Sequence, residues 1–236
     1  MMKNKLFLQL FVVFLFALSA NAQDIILWEK VSHNTEKPKK GINSTSFNHF
    51  YVAWGVNTAF LNNETSVKVP ASNDYTFGYR QIFRLNNNLA FGFKGQLVKS
   101  RFSVTQNADK NVHDSVLHKK EIFLINHVDA SLYLRINFDR HRGAYMGHFL
   151  DIGAWGGYNF MRQRMIEDIT VDKSKTRIWH KGVGYIEKYQ YGAYAAIGLN
   201  RFLFYARYRV SDLFDPCKKF SQLPALTFGL EVGLHK

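Results

Sequence analysis

Three polar residues at alternate positions, His127, Asp129 and Ser131, are of the types that a serine hydrolase combines in its catalytic triad. A triad requires the serine, the histidine and the carboxylate to lie within hydrogen-bond reach of one another. In an extended strand, same-face neighbours stand about 6.6 Å apart. This spacing argues against a triad along one strand, and we expect a non-enzymatic protein with no catalytic residues.

Metal chemistry has equally little support in the sequence. The chain has 9 histidines, but none of them stands in a His-x-His or His-Glu-x-x-His spacing that would hold a zinc ion. We therefore expect no metal and no cofactor.

The element that positions His127 and Asp129 is a long alternating stretch. Apolar side chains occupy nearly every even position from Ile122 to Phe138, whereas polar side chains occupy the odd positions from His127 to Asn137. Such a period of two predicts a β-strand with one apolar and one polar face. The same alternation recurs in further segments, which gives eight predicted strands: 50–57, 75–80, 89–97, 122–138, 150–160, 190–199, 202–211 and 226–234.

The connections between these segments alternate strictly in length. The short ones are Asn86–Asn88, Asp139–Gly143 and Asn200–Arg201, and the long ones cover about 61–74, 106–119, 165–187 and 212–223. In an up-and-down barrel every second connection lies at the same end. The sequence therefore predicts an all-β fold, an eight-stranded antiparallel up-and-down transmembrane β-barrel with short periplasmic turns and long extracellular loops.

The composition of the two faces indicates which one lies inside. The polar face is rich in glycine and alanine, which a narrow eight-stranded lumen requires, whereas the apolar face carries many Phe, Tyr, Leu and Val residues, as a lipid-facing band does. The alternative, a soluble lipocalin-like ligand-binding barrel, would hold the apolar face inside. Phe123 and Ile125 break the polar pattern, and we expect them in a part of the strand that projects beyond the outer surface.

The charged side chains of the polar face would then fill the lumen. Buried charges must be paired, and each acid here has several cations available. With His127 and Tyr133 as hydrogen-bonding neighbours, we expect a salt-bridge network of Arg80, Lys94, Asp129, Arg135, Asp151, Arg207, Arg209 and Glu231.

Segments outside the strands complete the predicted organisation. Residues 1–22 have the positive, apolar and small-residue regions of a signal peptide, residues 23–47 form a polar periplasmic leader with an apolar knot at Ile25–Trp28, and residues 48–236 form the barrel. Both termini would be periplasmic. The formal net charge is +13. Basic residues of the long loops could face lipopolysaccharide phosphates, or could form an ordinary solvated surface: Lys119, Lys120, Arg162, Arg164, Lys173, Lys175, Arg177, Lys181, Lys218 and Lys219.

Over residues 48–236 the chain resembles a known family, the small outer-membrane β-barrels of the Bacteroidota that include PorT-like proteins. The resemblance lies in "YRQIF" and in the ending "YARYRVSDLFDP…LPALTFGLEVGLHK", where Tyr208-Arg209, Leu213-Phe214, Leu223-Pro224 and Gly229 match best. It implies an integral outer-membrane protein without a catalytic motif, and PorT-like relatives are implicated in type IX secretion.

We therefore expect a structural or accessory subunit of an envelope or secretion assembly. Its partners would be outer-membrane lipid, lipopolysaccharide and possible envelope or secretion-system proteins, but not nucleic acid. The main alternative is a small barrel enzyme that modifies lipid A or phospholipid.

Overall fold

The computed structural model describes residues 42, 44–59, 65–69, 71–107, 110, 112, 116–139, 146–169, 174–215 and 220–235. Within these ranges the chain forms strands and connections only. The strands are β1 (Ser46–Thr58), β2 (Asn73–Arg84), β3 (Leu89–Val104), β4 (Lys120–Asn137), β5 (His148–Ile169), β6 (Lys175–Lys181), β7 (Tyr189–Leu199), β8 (Phe202–Arg209) and β9 (Leu226–Leu234).

Eight of these strands close into a ring. Neighbours in the ring are β1, β2, β3, β4, β5, β7, β8 and β9, and β9 pairs again with β1. Every pairing is antiparallel, and each ring strand pairs with the ring strand that follows it in the chain. The predicted antiparallel up-and-down barrel is confirmed.

A ninth strand was not predicted. β6 lies in the predicted long loop 165–187 and pairs with the end of β5, from Gln163 to Ile169. β5 therefore has 22 residues and extends past the ring as one arm of a hairpin. All seven residues of β6 are exposed.

The connections alternate in length as predicted, so the two ends of the barrel differ. The β2–β3 turn is held by the Asn86 side chain, whose Oδ1 accepts hydrogen bonds from the backbone N–H groups of Asn88 and Leu89. At the β7–β8 turn, Asn200 adopts a left-handed φ of 54°, which asparagine tolerates better than most residues. We call this the short-turn end and the opposite one the long-loop end.

The polar faces of the strands point to the interior of the barrel. On β4, Tyr133 is 3% exposed while its neighbour Leu132 is 69% exposed. On β7, buried and exposed residues alternate without exception. The lipocalin-like alternative, which requires the apolar face inside, is therefore wrong.

Two apolar clusters occupy the interior at different heights. The cluster nearer the short-turn end includes Phe149 and Leu203. The cluster at the long-loop end joins Phe102 and Phe123 of the strands to loop residues such as Phe214. We call the latter the mouth cluster.

The mouth cluster explains why Phe123 and Ile125 are apolar although they lie on the inward face of β4. They are 0% and 1% exposed, because loop residues fold over the mouth and cover them. Their place in a part of the strand beyond the outer surface stays a prediction.

Several predicted features lie outside the described residues. These are the signal peptide 1–22, the knot at Ile25–Trp28 and most of the leader, and the basic residues Lys173, Lys218 and Lys219. β1 begins at Ser46, two residues before the predicted barrel boundary. Among the described residues, no helix is long and apolar enough to cross a membrane.

Candidate functional site

The first charged cluster of the lumen centres on Asp151 of β5. Arg135 lies opposite it on β4 and binds it with two bonds, Nε to Oδ1 at 2.7 Å and Nη2 to Oδ2 at 2.8 Å. Arg80 of β2 adds a bond from Nη1 to Oδ2 at 3.2 Å. Asp151 is 0% exposed, so two guanidinium groups compensate its loss of hydration.

Glu231 of β9 continues this cluster across the lumen. Its Oε1 lies 2.7 Å from Nη2 of Arg80, and its Oε2 lies 3.6 Å from Nζ of Lys94. The Lys94 ammonium also stands over the ring of Tyr194, 3.6 Å from the ring centroid. An aromatic face attracts a cation, and the attraction is strongest where water is excluded.

A second charged cluster centres on Asp129 of β4. Its Oδ2 accepts a bond from Nη2 of Arg207 at 2.6 Å and one from Nε2 of Gln96 at 3.1 Å. Its Oδ1 lies 2.6 Å from Nδ1 of His127. The Arg207 guanidinium packs over the ring of Trp155 at 4.0 Å, which fixes its direction.

Tyr51 joins the two clusters. Its hydroxyl donates to Oε1 of Gln96 at 2.6 Å, while its ring lies 5.6 Å from the guanidinium carbon of Arg80. The ring fits because Gly78 faces it on β2, where a Cβ atom would lie within 3 Å of three Tyr51 atoms. The interior is thus filled by a connected set of polar side chains to which all eight ring strands contribute.

Arg209 lies apart from these two clusters. Its Nη2 donates to the Leu223 carbonyl at 2.7 Å and its Nε to the Ser211 carbonyl at 3.2 Å. It therefore ties the last long loop to the barrel wall at the long-loop end.

The spacing argument against a triad of His127, Asp129 and Ser131 takes no account of side-chain reach, and His127 and Asp129 are in contact. Their Cα atoms are same-face neighbours, but the side chains lean together until the ring nitrogen and the carboxylate meet. The other ring nitrogen, Nε2, lies 3.1 Å from Oγ of Ser100 on β3. A serine, a histidine and an aspartate are thus aligned as in a triad, with Ser100 in the place that we had considered for Ser131.

A cavity of about 30 Å³ adjoins Ser100 and His127. That volume holds about one or two water molecules. Phe102, Ile125 and Leu213 of the mouth cluster form part of its wall. Arg207, Arg209 and Gln190 also line it and supply hydrogen-bond donors.

The long-loop end holds a third charged cluster around Glu121. This residue is 0% exposed, and its carboxylate lies 2.6 Å from Nζ of Lys110 and 2.6 Å from Nε of Arg164. Sequence analysis places Arg164 among the residues that could face lipopolysaccharide or solvent. It is instead 4% exposed, because it pairs with inward-facing Phe123 on β4 and shares the inward face with Glu121.

The other predicted basic residues lie at the surface or are half-buried. Arg162 is half-buried and donates to the Ile186 carbonyl, and Arg177 of β6 binds Glu167 at 2.7 Å. The remaining described members are Lys119, Lys120, Lys175 and Lys181, of which all but Lys120 are exposed. No group of three or more possible metal ligands is formed within the described part of the chain.

Comparison with known proteins finds likeness in fold but not in sequence. No family model and no curated protein sequence matches the chain. The fold is similar to that of Ail, the attachment invasion locus protein of Yersinia pestis, in a crystal structure with the heparin analogue sucrose octasulfate. The two share 13% identity over 79% of this chain and 95% of that chain, with a TM-score of 0.35. So distant a likeness carries no functional information, and the barrel rests on the strand pairing described above.

Sequence reasoning missed several residues that the structure brings into the lumen, among them Ser100, Gln96 and Tyr51. Each lies at a strand position whose side chain points inward, so the alternation of side chains does place it inside. Its partner depends on the register between strands, which pairs Val98 with His127 and so makes Ser100 a diagonal neighbour of the histidine.

Proposed function

We propose that the protein is an integral outer-membrane β-barrel. The observation that carries this proposal is the outer wall, where large apolar side chains are exposed on every one of the eight ring strands. Leu132 at 69%, Tyr191 at 59% and Phe204 at 56% are examples. An apolar belt of this extent is unfavourable in water and favourable in lipid, and a closed barrel leaves no backbone edge unpaired.

The difference between the two ends supports an orientation of the barrel in the membrane. Outer-membrane barrels have short periplasmic turns and longer extracellular loops. The short-turn end, which also holds the start of β1 and the end of β9, would then face the periplasm. The mouth cluster, β6 and the basic loop residues would face the exterior, where lipopolysaccharide is the outer-leaflet lipid.

The role that fits this barrel best is that of a non-enzymatic structural or accessory subunit of an envelope or secretion assembly. A lumen filled by paired charges and closed by an apolar mouth cluster leaves no open channel. Partners must then bind the loops, the outer wall or the leader. The resemblance to PorT-like barrels of the Bacteroidota favours a secretion assembly such as type IX.

Two measurements on native membranes test this proposal. We expect the protein to fractionate with the outer membrane, to resist extraction by alkaline carbonate and to migrate faster on gels before heating than after. We also expect other envelope proteins to co-purify in mild detergent. Carbonate extraction into the soluble fraction would overturn the membrane proposal, and purification without partners would overturn the subunit role.

One observation favours a second candidate, a barrel enzyme that hydrolyses an ester of lipid A or phospholipid. Ser100, His127 and Asp129 are aligned so that His127 Nε2 could accept the serine proton while Asp129 holds Nδ1. Against it, Asp129 is already bound by Arg207 and Gln96, and the cavity beside Ser100 has no room for an acyl chain.

A fluorophosphonate probe separates the two candidates. The enzyme would be labelled at Ser100, and Ser100→Ala would abolish labelling while Ser131→Ala, a matched change at another buried serine of the lumen, would not. The non-enzymatic proposal predicts no labelling of the folded wild-type barrel and unchanged cellular function of His127→Ala, Asp129→Asn and Ser131→Ala. Labelling that depends on Ser100 would contradict it.

A further inference from the structure

A groove of about 370 Å³ lies on the outer wall of the barrel near the long-loop end. It crosses five adjacent strands, β2 to β6, and its lining differs from both the lumen and the apolar belt. The cations are Lys99, Arg101, Lys120 and Arg177, against one carboxylate, Glu167, and the apolar members are Tyr75, Ile122, Leu124, Met165 and Trp179. We call it the wall groove.

The strand register explains why these side chains meet. Lys99 pairs with Tyr75 and with Asn126, and Arg101 pairs with Leu124, so both cations share the outward face of β3 with their neighbours. Farther along, Met165 pairs with both Ile122 and Trp179. The β5–β6 hairpin thus extends the outward face beyond the ring and gives the groove its second side.

Only some of the charged side chains of the wall groove form ion pairs. Arg177 is paired with Glu167 at 2.7 Å. Within the described residues, Lys99, Arg101 and Lys120 form no ion pair, and the Nε atom of Arg101 is buried without a hydrogen-bond partner. Four cations against the single carboxylate of Glu167 leave an excess of positive charge in the groove, so a ligand with negative oxygens would relieve their repulsion.

The floor of the wall groove is apolar although it faces outward. Ile122 is 3% exposed and Met165 is 7% exposed, while Trp179 at 47% and Tyr75 at 56% remain open to a ligand. A free phosphate or sulfate gains nothing from such a surface. A ligand that carries both an anionic group and hydrocarbon matches both halves of it.

The position of the wall groove along the barrel axis determines which amphiphilic molecule can contact it. Leu97 and Val128 are an opposed pair of exposed apolar residues on β3 and β4, 55% and 44% exposed. Lys99 stands one same-face step above them, about 7 Å along the strand. The cations therefore begin where the apolar belt ends, at the level of the lipid headgroups.

We propose that the wall groove binds a phosphorylated glycolipid of the outer leaflet, lipid A, with its phosphate on Lys99 and Arg101 and its acyl methylenes against Leu97 and Val128, on the membrane side of these cations. This inference rests on the proposed membrane location and names the lipid partner of one face. Lys99 and Arg101 lie on a strand of the wall and are not among the residues that the sequence suggested for lipopolysaccharide, whereas Lys120 and Arg177 of the same groove are.

Native mass spectrometry of the detergent-purified full-length protein tests the site. The variant Lys99→Gln/Arg101→Gln removes two groove cations, and Lys68→Gln/Lys188→Gln removes two exposed cations that do not line the groove. With diphosphoryl lipid A as the probe, we expect the groove variant to bind about tenfold more weakly and the control to bind like wild type. Equal weakening in both variants, or none in the groove variant, would overturn the proposal.

Two further arms fix the ligand class. Dephosphorylated lipid A should lose most of the affinity of the wild type, and inorganic phosphate should not displace lipid A. Binding that is insensitive to the lipid phosphates, or displacement by phosphate alone, would overturn a lipid A site. So would a change of oligomeric state in the groove variant at unchanged lipid binding, which would mark the groove as a contact with a second copy. Carbonate-resistant membrane association, measured on the membranes from which each variant is purified, separates failure of this site from failure of the membrane proposal.

Discussion

Arg135 and Asp151 stand opposite each other on β4 and β5 and form a two-bond ion pair inside the barrel, with N–O distances of 2.7 and 2.8 Å. The Arg135 guanidinium also packs on the ring of Phe149, 3.5 Å from its centroid. The pair therefore links two adjacent strands in a place that water does not reach.

We predict that Arg135→Leu destabilises the barrel by about 3 kcal/mol, because it leaves Asp151 with Arg80 as its only guanidinium partner among the described residues. Glu231→Leu should have a comparable effect, since it leaves Arg80 and Lys94 without that carboxylate. The measurement is the melting temperature of the folded gel band. Arg201→Leu at the exposed β7–β8 turn is the control, and melting of both lumen variants at the wild-type temperature would refute the prediction.

Substitutions at two separate glycines test how closely the barrel wall is packed. A Cβ atom on Gly153 would collide with the backbone of Leu132 and Tyr133 on the facing strand, whereas one on Gly95 would meet nothing within 4 Å. We predict that Gly153→Ala lowers stability by about 1–3 kcal/mol or prevents folding, since backbone cannot move aside easily. Gly95→Ala should be neutral. Denaturant unfolding in detergent measures both, and equal stability of the two variants would contradict this packing.

Labelling of single cysteine substitutions can test which side chains of the barrel face lipid and which face water. Leu132 and Phe228 are exposed on the outer wall, at 69% and 49%, and Lys175 is exposed on β6. In intact cells we predict that a water-soluble maleimide labels a cysteine at Lys175 but not one at Leu132 or Phe228, because lipid shields these two. Ready labelling at all three positions would mean that the outer wall is in water.

Acid should weaken the structure at the long-loop end by protonating Asp168. Partial burial disfavours its charged form, yet bonds from His118 Nδ1 at 2.8 Å and the Lys119 N–H at 3.1 Å hold the pKa of Asp168 below its ordinary value of 3.8. A lowered carboxyl pKa stabilises the folded form above pH 3.8, and this contribution is lost as the pH falls through the folded pKa.

We therefore predict that hydrogen exchange at the Lys119 amide, corrected for its intrinsic pH dependence, accelerates below pH 3.8. Asp168→Asn cannot titrate and should show no such step. If the variant showed the same step as the wild type, another group would be responsible.

The leader offers a test of the subunit role. In sequence, the apolar knot at Ile25–Trp28 and the polar residues after it precede the barrel, and in the proposed orientation such a segment could reach a neighbour in the periplasm. We predict that deletion of residues 24–40 leaves a folded, heat-modifiable barrel but weakens its co-purification with envelope partners. Undiminished co-purification would show that the partners bind elsewhere.

The alternation of side chains determined the faces of the barrel from sequence alone. Successive residues of a strand point to opposite sides, so the apolar and polar sets of 122–138 had to separate, and Leu132 and Tyr133 lie on opposite faces for this local reason. The alternation of short and long connections likewise determined the two ends. Both signals are properties of neighbouring residues in the chain.

Only the tertiary structure decided which side chains meet. Ser100 reaches His127, and Arg164 reaches Glu121, across strands whose register the sequence does not state. Phe123 and Ile125 are buried because loops distant in sequence fold over the mouth, and the wall groove exists because β6 extends the sheet past the ring. Such contacts follow from closure and register, which depend on the whole chain, and alternation within one strand contains no information about them.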